Sequence, residues 1–189
     1  MKTTDTHVYF YSGGEIYSNW HSTPKQFIDP LLGDAPFDST EQAFMMYKAL
    51  FFGDKESAQI IAMETDPSMV KSLGRQVKNF DEYAWDCVAL GYMTYVNYLK
   101  FSQNPEFEKQ ILQTGNRILV EASRRDKIWG VGWYESDPEI LDERNWLGRN
   151  LLGVALMNVR RLLIQKRDKK DPSYKPSYPH TQDLLRKIS

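Results

Sequence analysis

The chain of 189 residues has one cysteine, three histidines and no apolar run near the length of a bilayer. A single thiol, Cys87, excludes an intramolecular disulfide and fits a reducing compartment. Set beside Val88 and Ala89, it reads as a small buried hydrophobe. His7, His21 and His180 lack the paired spacing of a metal site, so no metal is expected. The longest apolar stretches, such as Leu151 to Met157, fall far short of the roughly 20 residues that span a bilayer. Met1 to Thr6 is polar where a secretory signal is apolar. A cytoplasmic protein without membrane contact is expected. Charge of one sign is not in excess either: 24 basic against 25 acidic residues leave a net charge of −1. That balance does not supply the many phosphate contacts on which non-specific nucleic-acid binding depends. Gly13-Gly14 is not a Walker loop, and no G-x-G-x-x-G follows a strand. No Ser-His-Asp or Cys-His nucleophile stands out, and no cofactor is expected.

What is abundant is flat apolar surface, with 13% aromatic residues, among them 5 Trp and 11 Tyr. His7 to Tyr11 reads as a strand ending at Ser12-Gly13-Gly14. Glu15 to Pro36 is punctuated by prolines and reads as a long loop, of the kind that walls a site. Asp38 or Ser39 caps a helix running to about Phe52, with Glu41 or Gln42 as the capping-box partner. Further helices are predicted from Asp54 to Glu64, Asp66 to Gly74, Asp81 to Ser102, Glu106 to Thr114 and Asn145 to about Lys166. Arg117 to Ala122 reads as a strand, and Ser123 to Glu143 as loop. The fold class is therefore α+β and predominantly α-helical: a single compact domain with a few short strands over 1–167, followed by a C-terminal tail at 168–189.

Three constellations can carry chemistry. Glu41 and Lys48 lie two turns apart, within ~20° of one helix face and about 10 Å along its axis, with Phe44 and Met45 between them. Burial beside that apolar stripe would perturb both groups. Equally, Glu41 fits a capping partner, and Lys48 a side chain that snorkels to water. Asp126 introduces Trp129-Gly130-Val131-Gly132-Trp133, whose glycines let backbone N–H groups approach an anion. The same segment fits a turn whose tryptophans plug the core. Finally, Arg144 to Asn150 leads into a helix, where free N–H groups favour anions. Gly148 and Gly153, inside that helical pattern, cost about 1 kcal/mol each relative to Ala, so a ligand or another helix must approach closely. Trp85 reads as core. Arg160, Arg161, Lys166, Arg167, Lys169 and Lys170 read as a solvated helix end that complements the dipole.

In this order the segments resemble the NADAR family. The resemblance runs from about Tyr9 to Leu163. It is carried by Phe10-Tyr11-Ser12, Tyr17-Ser18-Asn19-Trp20, Ser39-Thr40-Glu41-Gln42-Ala43-Phe44 through Lys48, Asp126 to Gly132, and Asn150-Leu151-Leu152-Gly153. Two polar groups of the family pattern are absent, since Gln42 stands in place of His and Met46 in place of Gln. The segment Tyr134 to Arg144 looks longer than the glycine-rich loop of the family's bacterial member.

The resemblance implies a small enzyme that cleaves N-glycosidic bonds. Its substrate would be a ribosylated small molecule of the riboflavin-pathway type or an ADP-ribosylated base, including one in nucleic acid. It further implies Lys48 as an amine that holds the anomeric carbon as a Schiff base and Glu41 as acid/base or charge stabiliser. Asp126 would orient the ribose or assist with protons, Trp85 and Trp129 would sandwich the base, and Gly130 to Gly132 would supply N–H groups. Ser18, Asn19 and Asn150 would contact ribose and phosphate. A non-catalytic module that binds NAD or ADP-ribose remains the alternative.

Overall fold

The computed structural model describes residues 1–168. The expected tail lies outside the described residues except for Asp168, which closes the last helix. The elements in order are β1 (Lys2–Thr3), β2 (His7–Phe10), β3 (Phe27–Asp29), β4 (Ala35–Phe37), α1 (Thr40–Phe51), α2 (Lys55–Met63), α3 (Pro67–Arg75), α4 (Glu82–Ser102), α5 (Pro105–Gln113), β5 (Ile118–Glu121) and α6 (Leu151–Asp168). Single 3₁₀ turns occupy Pro30–Leu32, Pro138–Leu141 and Glu143–Asn145. The fold is α+β and predominantly helical, as expected.

β2 pairs in parallel with β5, so that Phe10 faces Glu121, and β1 flanks β2 antiparallel. Five helices lie in the crossover between the two parallel strands. Alternation sends Val8, Phe10 and Leu119 into the main core with α1, α4 and α6, while Tyr9 and Val120 face a smaller core with Val131 and Ile140. A third cluster joins α1 to α2 and α3 through Ala49, Ala58, Ile61 and Val70.

Three local readings change. The segment Glu15 to Pro36 is not all loop: β3 and β4 form a short hairpin whose Phe27 and Phe37 rings meet at 5.8 Å. Strands of three residues carry too few alternations to be visible among prolines and glycines. Asp29, wholly buried in this hairpin, accepts from the Tyr47 hydroxyl and, at 2.8 Å, from that of Tyr95. The last helix begins at Leu151 rather than Asn145, because Asn150 has φ 52° and breaks the approach to it. Cys87 is exposed rather than buried. Three consecutive residues span about 200° of a helix, so Cys87, Val88 and Ala89 cannot all face the core, and the last two do.

α6 crosses β5 at Gly153, where an added Cβ would lie 2.0 Å from the Leu119 carbonyl oxygen. The Asn150 amide, at 2.5 and 2.7 Å, is itself held by hydrogen bonds to β5, so neither neighbour yields cheaply. Gly153→Ala is therefore expected to cost about 3 kcal/mol, read as a lowered urea midpoint at unchanged slope.

Candidate functional site

The first turn of α1, the face of α3 carrying Lys71 and Arg75, the C-terminal end of β5 and the loop after it converge on one set of ionisable groups. Ligands favour the carboxyl ends of parallel strands in open α/β sheets, and Glu121 is the last residue of β5.

Glu41 is the most deeply placed of these groups. Its N–H donates to the Asn19 carbonyl at 3.0 Å, and its side chain is only 5% exposed. Helix capping does not occupy it. Ser39 Oγ accepts from Gln42 N at 3.2 Å, and Gln42 Oε1 accepts from Asp38 N at 3.1 Å. The Gln42 amide nitrogen turns the other way, onto the carbonyls of Ile61, Ala62 and Glu64 at the end of α2. Gln42 is thus committed to joining α1 with α2, while Met46 packs with the α2–α3 cluster. Glu41 Oε1 is shielded and has no hydrogen-bond partner among the described residues. Burial pushes its carboxyl up to about 7; Lys71 pulls against this, Asp126 adds to it, and Arg75 pulls against it.

Asp126 has two roles in one side chain. Oδ1 accepts from Ile128 N at 3.0 Å and Trp129 N at 2.8 Å, which folds the loop, while Oδ2 lies 4.0 Å from Lys71 Nζ. Lys71 in turn stands 5.8 Å from the centre of the Trp20 ring. Glu121, on the Leu119 side of its strand, keeps Oε2 shielded and without a partner among the described residues. Burial pushes the Glu121 carboxyl up to about 8, with Asp126 and Glu15 adding and Lys71 opposing.

Beside the carboxyls runs an aromatic wall. Trp85 and Trp129 each sit 5.2 Å from the Phe44 ring, Trp129 edge-on. Both indoles are half-buried, so each keeps an open portion. Trp85 also stacks on Tyr92 at 5.7 Å. Lys48 stands at the far end of the stripe. Its Nζ donates to the Gly74 carbonyl at 2.8 Å and lies 3.9 Å above the Phe80 ring. Burial lowers its affinity for a proton. The charges that act on Glu41 are Lys71, Asp126 and Arg75. Glu41 and Lys48 thus border one stripe without pairing.

The remaining expected residues are mostly framework. Ser18 Oγ accepts from Trp20 N at 3.2 Å, and its carbonyl takes the wholly buried Lys100 amine at 2.9 Å. Burial brings the Lys100 amine down to about 7. Asn19 Oδ1 accepts from Thr40 Oγ1 at 3.0 Å. Ser18 and Asn19 therefore fix the approach of Trp20 and the start of α1.

Asn150 accepts from Glu121 N at 3.0 Å and donates to Leu119 O at 2.9 Å, so its amide is occupied by β5. Two N–H groups of the expected cradle are taken up: Val131 N donates to Glu121 O and Gly132 N to Ser123 O. The glycines also meet steric demands. A Cβ at Gly130 would lie 2.8 Å from Asp126 O, and Gly132 has φ 82°. Trp133 and Trp146 donate to Asn145 O and Ile140 O, plugging the smaller core.

Arg160 is buried against Thr114 and the Arg117 carbonyl, and Arg167 pairs with Glu108 at 3.2 Å. The expected basic helix end is therefore partly neutralised; Lys169 and Lys170 lie outside the described residues.

Glu121, Lys71, Arg75 and Trp20 were not singled out by the sequence. For Glu121 the available signal was the two-residue alternation of its strand; for Lys71 and Arg75 it was their i,i+4 spacing on α3. Among the described residues no group of three or more His, Cys, Asp or Glu could hold a metal ion, and no helix is long and apolar enough to cross a membrane.

A family model described as the NADAR domain matches residues 9–164. An N-glycosidase of Acanthamoeba polyphaga mimivirus is 41% identical over 165 residues, which covers 83% of this chain and 96% of that protein. Protein irg-1 of Caenorhabditis elegans is 36% identical over 178 residues, 87% of this chain and 83% of that one. Among solved structures, that of the Escherichia coli protein YbiA superposes with a TM-score of 0.70 at 22% identity, over 92% of this chain and 94% of the other.

Proposed function

This chain belongs to the NADAR family, and from that footing we propose that it is a hydrolase of N-glycosyl bonds acting on a ribosylated compound. The observation that carries the reading is the Glu41 carboxyl: buried, unpartnered at Oε1, and adjoining both Asp126 and the Phe44–Trp129 wall. A hydrogen-bonding group that burial leaves without a partner costs about 1 to 3 kcal/mol, so it fits an arrangement completed by a ligand. Breaking a C1′–N bond builds positive charge on the ribose, which a carboxylate in a dry cleft stabilises more strongly than it could in water. The half-open Trp85 and Trp129 rings offer faces on which a departing base can stack.

Lys48, turned toward its neutral form by burial, is the amine assigned to C1′. It would leave the Gly74 carbonyl, bond the anomeric carbon as the base departs and hold the opened sugar as a Schiff base until water releases it. Asp126 keeps the loop folded and adds negative potential at the ribose. The substrate class we assign is a ribosylated pyrimidine of the riboflavin-pathway type, with an ADP-ribosylated base as the second arm of the test. Incubation of the full chain with a panel of both, read by mass spectrometry, is expected to yield free base and sugar. Tight binding of ADP-ribose with no product from any member would replace this reading with the sensor.

A further inference from the structure

Resting on the glycosidase reading, we propose that Glu121 is a second acid of this site, holding a proton and delivering it to the nitrogen that leaves C1′. Geometry carries this. Glu121 ends β5 on the Leu119 side, toward α1 and the aromatic wall, and its register partner is Phe10 of the main core. Its backbone is fixed on both sides, by Asn150 Oδ1 at its N–H and by the N–H groups of Ser123 and Val131 at its carbonyl. The side chain therefore projects from a rigid frame, as a proton-transfer group must. Its Oε2 is shielded from solvent and has no partner among the described residues. The more deeply buried Glu41 also presents an unpartnered oxygen, and Asp126 acts electrostatically on both carboxyls.

The three carboxyls differ in what surrounds them. Asp126 accepts two backbone N–H groups and lies 4.0 Å from Lys71 Nζ. The Glu121 Oε2 has no hydrogen-bond or ion-pair partner among the described residues. The charged groups that act on it are Asp126 from the following loop, Glu15 from the turn after β2, and Lys71 from α3. Two of these three are negative, and with burial they favour its protonated form. Sites in which neighbouring carboxyls are driven apart in this way divide acid and anion roles between them.

In the step itself the Lys48 amine bonds C1′ as the C1′–N bond breaks, the electron pair of that bond stays with nitrogen, and the Glu121 proton moves to that nitrogen. One amine proton passes to the ring oxygen as the sugar opens; the water that later releases the Schiff base leaves its oxygen on C1′, returns one proton to the Glu121 carboxylate and gives the other to the Lys48 amine. One water is consumed in all.

The test compares two probes in wild type and Glu121→Gln. A ribosylaminopyrimidine has an amine leaving group that must be protonated. p-Nitrophenyl ribofuranoside has one that departs unaided. A general acid contributes about 10²-fold or more, so Glu121→Gln is expected to lose about 10²-fold on the first probe and little on the second. The wild-type rate on the first probe is expected to fall at high pH as the acid ionises, and that limb should vanish in Glu121→Gln. Glu121→Asp, which keeps an acid, should recover part of the loss. Equal losses on both probes, or a high-pH limb that persists in Glu121→Gln, would make Glu121 a packing residue and overturn the proposal. If wild type cleaves only one probe, the pH limb decides on the first and an unchanged rate on the second. A wild type inert toward both removes the glycosidase reading, and this role with it.

Discussion

Lys48→Ala is expected to abolish the adduct that borohydride traps between the chain and a ribosylated substrate, and to lower turnover on the order of 10⁴-fold or more, the scale seen when a nucleophile is removed from groups that act as a unit. The expectation rests on the physical state of the amine. Its ammonium form has one carbonyl, that of Gly74, and the face of Phe80 for company, and burial acts against its charge. A lysine held this way is a better nucleophile than one paired with a carboxylate. The control is built into the site, because Lys71 is the amine that does lie beside a carboxylate, 4.0 Å from Asp126 Oδ2. An adduct that survives in Lys48→Ala and disappears in Lys71→Ala would transfer the covalent role to α3.

Glu41→Gln is expected to lower turnover about 10²- to 10³-fold, the range for removing one preorganised electrostatic group at a reacting centre. It should also flatten the pH dependence of stability. The folded chain holds the Glu41 proton up to about 7, against an ordinary value of 4.5. The folded state therefore binds the proton more tightly than the unfolded one. The resulting stabilisation is complete below 4.5 and is lost as pH rises through about 7. Between about pH 5 and about pH 8 the wild type should lose on the order of 1 to 3 kcal/mol from this group. Glu121 contributes in the same direction. Urea titrations at the two pH values should show the loss shrinking by that amount in Glu41→Gln. A variant with wild-type turnover and an unchanged pH response would return Glu41 to the framework.

The two outcomes differ in kind. The first concerns an amine whose neighbours are mostly apolar; the second concerns an acid kept close to other acids. Activity at such a place opposes stability, and the loss expected in Gly153→Ala shows the other side, a contact that serves only to hold β5 and α6 together.

Most elements were legible because their causes are local. Ser39, Asp54, Asp66 and Asp81 cap the helices they precede, and Trp85 and Trp129 each pack on Phe44. Where the reading differed, a distant partner intervened. The sequence left the capping role open between Glu41 and Gln42; Gln42 takes it through Oε1, and its amide nitrogen also reaches across to α2. Asn150 and Gly132 looked available to a ligand, yet β5 and the Ser123 carbonyl occupy their hydrogen bonds.

By itself the sequence determined the starts of α1 to α5, the places of β2 and β5, the Trp-Gly loop and the placing of Glu41 and Lys48 on one helical stripe. Those features follow from caps and periodicities that act over four residues or fewer. Only the tertiary structure decided that Glu121, Asp126 and Lys71 join Glu41, that Lys48 stands apart from them, and that two carboxyl oxygens have no partner among the described residues. Desolvation and Coulomb energy depend on separation in space, and the groups that set them come from α1, α3 and β5, brought together by the crossover between two parallel strands.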